Sequence, residues 1–278
     1  MYEFSWRDTM TEKMPWITGA TRVFGVIAYP TDHVRAPAVF NQLFAERSLD
    51  HVMIPISVPP SDLTAMIRAL QSQSNFGGLT VTIPHKMAMA DLCDTLGPAA
   101  RVSGAVNAVR LNADGTICGD NFDGKGFVAG MINQGHEITG KIALLLGAGG
   151  AARAIATALC AHGIRELKIL NRTHENATAL VSALEDKGGF EQVCAVTSHD
   201  GSDVDIVINA TSIGLHDGDA LPLPLDMVAD STLIAEIIMK PEKTAWLTDA
   251  EKRGLATHYG RHMLDFQVEL IGKFIGAL

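Results

Sequence analysis

Lys86 stands in the run GLTVTIPHK, two residues after a proline that closes a short β-branched stretch. Leu79 to Ile83 reads as a strand inside a sheet, and Pro84 ends it because proline cannot donate to a ladder. A lysine partly desolvated at the mouth of a buried strand is suited to acid–base work. Asp123, in GDNFDGKGF, carries a carboxylate that could hold and orient that ammonium. The same residues also fit a solvated lysine and an aspartate capping a helix. Spacing alone does not separate the two readings.

A second cluster, LLLGAGGAARA, sets Gly147, Gly149 and Gly150 between an apolar strand-like stretch and a helical one. Gly147 suits a tight turn, Gly149 lets the backbone approach a pyrophosphate, and Ala152 permits close helix–strand packing. With Ala148 and Ala151 these residues form a candidate phosphate turn, the helix N-terminus offering free N–H groups. A purely structural glycine turn is the alternative, but the flanking strands and helix have the lengths a dinucleotide site needs. The next strand ends in Asn171-Arg172-Thr173, where an NAD site usually carries an acidic residue for the ribose 2′-hydroxyl. No carboxylate stands there to repel a 2′-phosphate, and the Arg172 fork can pair with one. NADP is therefore favoured over NAD, against the alternative of a plain surface arginine. Glu175 nearby opposes a phosphate and moderates the preference.

These groups need a scaffold, and the chain alternates strand-like and helix-like segments along its length. RVFGVIAYP, HVMIPISV and residues 79–83 read as strands, separated by APAVFNQLFAERSL and by DLTAMIRALQSQ, with Asp62 a candidate N-cap. KMAMADLCDTL continues in helical pattern. AVNAVRLNADGTICGDN reads as a hairpin around Asn112 to Gly115. From residue 123 follow a helix (DGKGFVAGMINQG), the glycine-turn unit, ELKILNRT, HENATALVSALEDKG, VDIVINATSIG and TLIAEIIM, and a closing amphipathic helix. This alternation predicts an α/β fold with parallel sheets covered on both faces, in two domains meeting near residue 123.

The 278 residues are 47% hydrophobic and 19% charged, which is enough apolar content for a substantial core. The net charge of −9 argues against a nucleic-acid surface, although local cations can still govern a cleft. No apolar run reaches membrane-spanning length. MYEFSWRDTM lacks the basic start and apolar core of a leader, so the cytoplasm is the expected compartment. Cys93, Cys118, Cys160 and Cys194 are scattered and read as free, mostly buried thiols. No metal site is expected. Among the dispersed histidines, His33, His85, His258 and His262 stand beside residues of interest.

GLTVTIPHK, GAVNAV, GDNFDGKGF, GAGGAARA, NRT, NATSIG and GRHMLDFQ occur in the order found in shikimate dehydrogenases and their quinate-using relatives, over about residues 25–270. The chain resembles that family nearly throughout. The resemblance implies a substrate-binding domain of residues 1–121 and 259–278, to which the C-terminal helix returns. It implies a Rossmann-type, doubly wound NADP domain of residues 122–258. It places Lys86 and Asp123 on a catalytic pair, and Thr82, Asn107 and Gln267 on substrate-binding positions. It extends the cofactor set to Ala210, Thr211, Ser212 and Gly260. The implied partner is a small cyclic hydroxy acid, interconverted with its ketone as in shikimate and 3-dehydroshikimate. A homodimer is left open.

The substrate pocket departs from that pattern. Where the family has Ser-x-Ser-Pro, whose hydroxyls bind the substrate carboxylate, this chain has Val34-Arg35-Ala36-Pro37. Losing two donors to a bound anion costs several kcal/mol unless replaced. Arg35 or His33 could replace them, or Arg35 is simply solvated. Met239 stands for a tyrosine and Phe122 for a threonine, and a plain core role is favoured for both. Two competing readings are a paralogue acting on quinate, an amino analogue or another cyclic hydroxy acid, and a non-catalytic dinucleotide sensor. A sensor needs neither Lys86 nor Asp123. A Rossmann methylene-tetrahydrofolate dehydrogenase fits NRT and DNFDGKG poorly. Gly124 and Gly126 read as hinge residues between the domains.

Overall fold

The computed structural model describes residues 17–278, so the stretch read above for a leader lies outside them. The first sheet is built from β1 (Arg22–Ala28), β2 (His51–Ser57), β3 (Phe76–Val81), β4 (Thr95–Leu96), β5 (Ala108–Leu111) and β6 (Ile117–Asp120), in the order β2-β1-β3-β5-β6-β4. Helices α1 (Ala36–Glu46), α2 (Leu63–Gln71), α3 (Lys86–Asp91) and α4 (Pro98–Ser103) connect its strands. β1 runs parallel to β2 and β3, whereas β5 is antiparallel to both β3 and β6. The predicted hairpin is β5–β6, its turn taken by Gly115 at φ +82°. This sheet is therefore mixed.

Helix α5 (Asp123–Asn133) leads into the second sheet. That sheet contains β7 (Ile142–Leu146), β8 (Glu166–Leu170), β9 (Val193–Val196), β10 (Ile206–Asn209), β11 (Leu233–Glu236) and β12 (Thr257–His258). Between them run α6 (Gly150–Ala161), α7 (His174–Gly188) and α8 (Ala245–Lys252), and α9 (Arg261–Ile275) closes the chain. The strand order β12-β11-β10-β7-β8-β9 is parallel throughout. Counted from β7 it is the 3-2-1-4-5-6 arrangement of a doubly wound dinucleotide fold. Order reverses between β7 and β10, and ligands of such sheets bind outside the strand ends at that crevice. No helix among the described residues is long and apolar enough to cross a membrane.

Helix α9 leaves β12 and crosses back to the first sheet. Leu264, Val268, Ile271 and Ile275 pack with Phe24, Phe40, Phe44 and Met53 in one buried cluster. Each such side chain contributes about 1.5–3 kcal/mol on burial, so the return of α9 is strongly fixed. Helix α5 lies between α6 and α9 at backbone contact. A Cβ on Gly124 would fall 2.1 Å from the Ala154 carbonyl oxygen, and one on Gly126 2.4 Å from that of Met263. These two glycines serve close helix packing at the junction where the hinge was expected. Beside them, His258 of β12 is buried, its ring centroid 5.5 Å from that of His136 and 5.2 Å from that of His262.

Other differences from expectation are local. The strand before Lys86 ends at Val81, not Ile83, and Thr95–Leu96 pair with β6 instead of continuing the helix of α3. Asp62 accepts a hydrogen bond from Ser61 and does not cap α2. Of the cysteines only Cys160 is buried; the other three are half-buried.

Candidate active site

Lys86 opens α3 immediately after the cis Ile83–Pro84 peptide and its neighbour His85. Its carbonyl accepts a hydrogen bond from the Val106 N–H at 2.8 Å, which fixes the backbone that carries the side chain. The Lys86 Nζ donates to Asp123 Oδ2, with Lys86 9% and Asp123 2% exposed. At that depth the pair is held together because either charge alone would be left uncompensated. Asp123 Oδ1 accepts from Asn107 Nδ2 at 2.8 Å, and the same nitrogen donates to Gln267 Oε1 at 2.9 Å. Asn107 Oδ1 in turn accepts from the Phe122 N–H at 2.9 Å, and Asn121 Oδ1 from the Asp123 N–H at 3.0 Å. Lys86, Asn107, Asp123 and Gln267 thus converge from distant points in the sequence. Neither the solvated lysine nor the plain helix-capping aspartate describes them.

These residues line a cavity of about 180 Å³ between the two sheets. Thr82, Arg35, Val34, Ala36 and Met239 line it as well, and from the second sheet so do Ala151, Thr211 and Ser212. Phe122 packs in the core with α9, as expected; Met239 both packs there and faces the cavity. His33, weighed above as a replacement for the serines, lines it too, and several wall residues were not anticipated, among them Thr80, Ile237, Ile238 and Lys240. Thr80 had a usable signal, since it lies two residues from Thr82 and side chains two apart share a strand face. Thr80 Oγ1 and His33 Nε2 are buried without a hydrogen-bond partner among the described residues.

Gly147, Ala148, Gly149, Gly150, Ala210, Asn171, Arg172, Thr173 and Gly260 do not line the cavity. The first five form the crevice where strand order reverses. Gly147 has φ +110°, donates to the Leu170 carbonyl at 2.8 Å, and has no room for a Cβ beside Ala210. Ala148 packs into the core. Gly149 precedes α6 with nothing within 4 Å of where its Cβ would be, the open approach that a phosphate needs. A Cβ on Gly150 would meet Lys86 Cβ at 2.8 Å, so this glycine lets the N-terminus of α6 abut the Lys–Asp pair. Asn171 Nδ2 donates to the Thr173 carbonyl at 2.8 Å and shapes the loop on which Arg172 is exposed. These features fit a dinucleotide. Gly260 differs, because its missing side chain is explained by packing: a Cβ would lie 2.4 Å from the Ile238 carbonyl oxygen.

Two further residues hold the cofactor-side wall. Asn209 Oδ1 accepts from the Thr211 N–H and hydroxyl, at 3.1 and 2.7 Å, while its Nδ2 donates to Glu236. Glu236 Oε1 accepts from the N–H groups of Ile237 and Ile238 at 2.8 and 3.1 Å. Burial pushes the Glu236 carboxyl up to about 7, against the donated hydrogen bonds, led by Asn209, that favour its charged form.

A doubly wound sheet whose phosphate turn touches a buried Lys–Asp pair defines a nicotinamide-linked oxidoreductase. Residues 26–109 match the family model for the shikimate dehydrogenase substrate-binding domain, and residues 129–215 that for shikimate / quinate 5-dehydrogenase. The chain belongs to the shikimate dehydrogenase family. It is 39% identical over 257 residues to the NADP(+) shikimate dehydrogenase of Rubrobacter xylanophilus, covering 91% of this chain and 90% of the relative. A shikimate dehydrogenase solved in complex with NADP+ superposes with a TM-score of 0.87 at 29% identity, over 95% and 93% of the two chains. The 5-ketofructose reductase of Gluconobacter sp. strain CHM43 does so with a TM-score of 0.79 at 31% identity, over 91% and 92%.

Proposed function

We propose that the chain is an NADP-dependent dehydrogenase interconverting shikimate and 3-dehydroshikimate. Within the described residues, 17–121 and 259–278 form the substrate domain, and residues 122–258 the cofactor domain. The observation that carries this reading is the buried Lys86–Asp123 pair, met at Gly150 by the N-terminus of α6. The Rubrobacter relative and the NADP+-bound neighbour support both substrate and cofactor. NADP, when bound, supplies the nicotinamide that accepts or returns the hydride.

In the reducing direction the Lys86 ammonium gives a proton to the carbonyl oxygen as it becomes a hydroxyl; in the oxidising direction Lys86 takes that proton back. Asp123 fixes Lys86 and receives the adjacent ring hydroxyl. Asn107, held between Asp123 and Gln267, sets the angle of both, and Thr82 and Gln267 bind the remaining hydroxyls. On the cofactor side, Gly147 to Ala151 would cradle the pyrophosphate of a bound NADP and Asn171, Arg172 and Thr173 would take its 2′-phosphate. Ala210, Thr211 and Ser212 would border the nicotinamide of a bound NADP, and Gly260 would support that wall from behind.

The test is NADP reduction with shikimate and with quinate, beside Lys86→Ala. Loss of about 10²- to 10⁴-fold in kcat is expected for the variant. Equal rates in the two chains would exclude the assigned role. A second reading, an uncharged polyhydroxy ketone, draws on the hydrocarbon walls of Val34, Ala36 and Met239 and on the 5-ketofructose reductase neighbour. NADPH oxidation by 5-ketofructose with no turnover of shikimate would select it.

A further inference from the structure

Once the Lys86–Asp123 pair is set aside, every formal charge on the cavity wall is positive. The two remaining ionic groups are Arg35, at the N-cap of α1, and Lys240, four residues beyond β11. Among the described residues, no carboxylate other than Asp123 lines the cavity. Neither cation makes an ion pair among the described residues, although the chain as a whole carries a net charge of −9. Both are exposed to solvent at the mouth of the cavity, and what sets them apart is that they share its wall. The surroundings reinforce the sign. The first turn of α1 has no acidic residue and no side-chain cap, so its free N–H groups add partial positive charge at Arg35.

The groups beside the two cations cannot hold an anion themselves. Val34 and Ala36 flank Arg35, Met239 precedes Lys240, and all three present hydrocarbon to the cavity. We propose that Arg35 and Lys240 form a two-sided anion clamp that holds a carboxylate on the substrate between a cation from each domain. The ring hydroxyls then meet Lys86, Asp123, Asn107 and Gln267. His33 Nε2 and Thr80 Oγ1, both partnerless in the same wall, face the bound ring. The clamp rests on the reading of this site as a hydroxy-acid dehydrogenase, and it excludes an uncharged ketose as the preferred substrate. Because its halves belong to different domains, the anion also draws the cavity walls together.

Calorimetric binding of shikimate and of its uncharged methyl ester to the NADP-loaded chain tests the clamp without requiring turnover. The acid should bind about 10- to 100-fold more tightly than the ester, as charge-assisted hydrogen bonds imply. Raising the salt concentration should shrink that preference. Arg35→Gln and Lys240→Gln should each remove most of it while leaving ester affinity, NADP affinity and the melting temperature unchanged. Equal binding of acid and ester by the parent chain would overturn the clamp, as would equal weakening of both ligands in the variants. A loss confined to NADP affinity would assign the cations to cofactor phosphates and overturn it too. Charge-selective binding without turnover would instead sink the dehydrogenase reading and leave the clamp standing. Turnover without charge selectivity would do the reverse.

Discussion

Asn107 uses both ends of one amide: its nitrogen donates to Asp123 and Gln267, and its oxygen accepts from the Phe122 N–H. Asn107→Leu would leave a buried carboxylate oxygen and a buried N–H without partners, at a cost of about 2–5 kcal/mol. Urea unfolding should show that loss, and a variant as stable as the parent would refute the network. The glycine turn allows a sharper separation. Gly149→Ala adds a methyl into open space, so the melting temperature should hold while the KM for NADP rises at least about tenfold by blocked phosphate approach. Gly147→Ala, at φ +110° and against Ala210, should lower stability and cofactor affinity together. If Gly149→Ala leaves the KM for NADP unchanged, the phosphate does not lie there. Lys86, Asp123 and the glycines were legible as residue types at meaningful positions. Asn209 and Glu236 were not, because a polar residue at a strand end looks the same whether it holds a wall or meets solvent.

At the scale of elements, legibility followed length and period. The unit β7–α6–β8 carries an apolar strand, a glycine turn and a long helix, and it folds as read. Helix α4 has six residues between Gly97 and Gly104, too few to show a helical period. β12 has two residues and is a strand only because β11 lies beside it. That short strand places His258 against Phe127, His136 and His262, with neither ring nitrogen hydrogen-bonded among the described residues. Burial, then the charges of His136 and His262, holds its pKa down at about 3 against an ordinary 6.5. The native state therefore refuses a proton that the unfolded chain accepts. The stabilising contribution is complete above pH 6.5 and is lost as pH falls toward 3, about 2 kcal/mol of it by pH 5. Glu236 acts in the opposite sense: its raised pKa makes the native state less stable as pH climbs from 4.5 to about 7. The two slopes offset each other in the parent chain. Denaturant titrations of His258→Phe at pH 8 and pH 5 should expose one of them, the variant gaining about 2 kcal/mol relative to the parent on acidification. A difference independent of pH would mean that His258 does not titrate in that window.

The molecule as a whole is two sheets joined by helix α5, with α9 running back across the junction. Helix α5 packs tightly against both α6 and α9, and the loops that carry Arg35 and Lys240 face each other's domains across the cavity wall. Ile271 belongs both to the core under α9 and to the cavity wall. Its replacement by alanine should cost about 2–5 kcal/mol and raise the KM for substrate more than that for NADP. Equal effects on the two KM values would show that α9 serves both domains alike. The sheets themselves were legible as an alternation of patterns. Apart from the β5–β6 hairpin their pairing was not, and the antiparallel pairing of β5 with β3 depends on which strands meet, which no local run of residues encodes.

The return of α9 also orders events during synthesis. Every strand and helix that surrounds the dinucleotide crevice has left the ribosome before Gln267 does, so a growing chain can hold cofactor before it can hold substrate. Ribosome-bound chains arrested with residues up to Gly260 emerged and α9 still in the exit tunnel should stay on a dinucleotide resin and pass through a shikimate resin, whereas full-length chains should stay on both. Retention on the shikimate resin without α9 would contradict this order of assembly. A premature stop codon after β12 would on this account release something other than an inert fragment: a polypeptide that sequesters NADP and returns nothing for it.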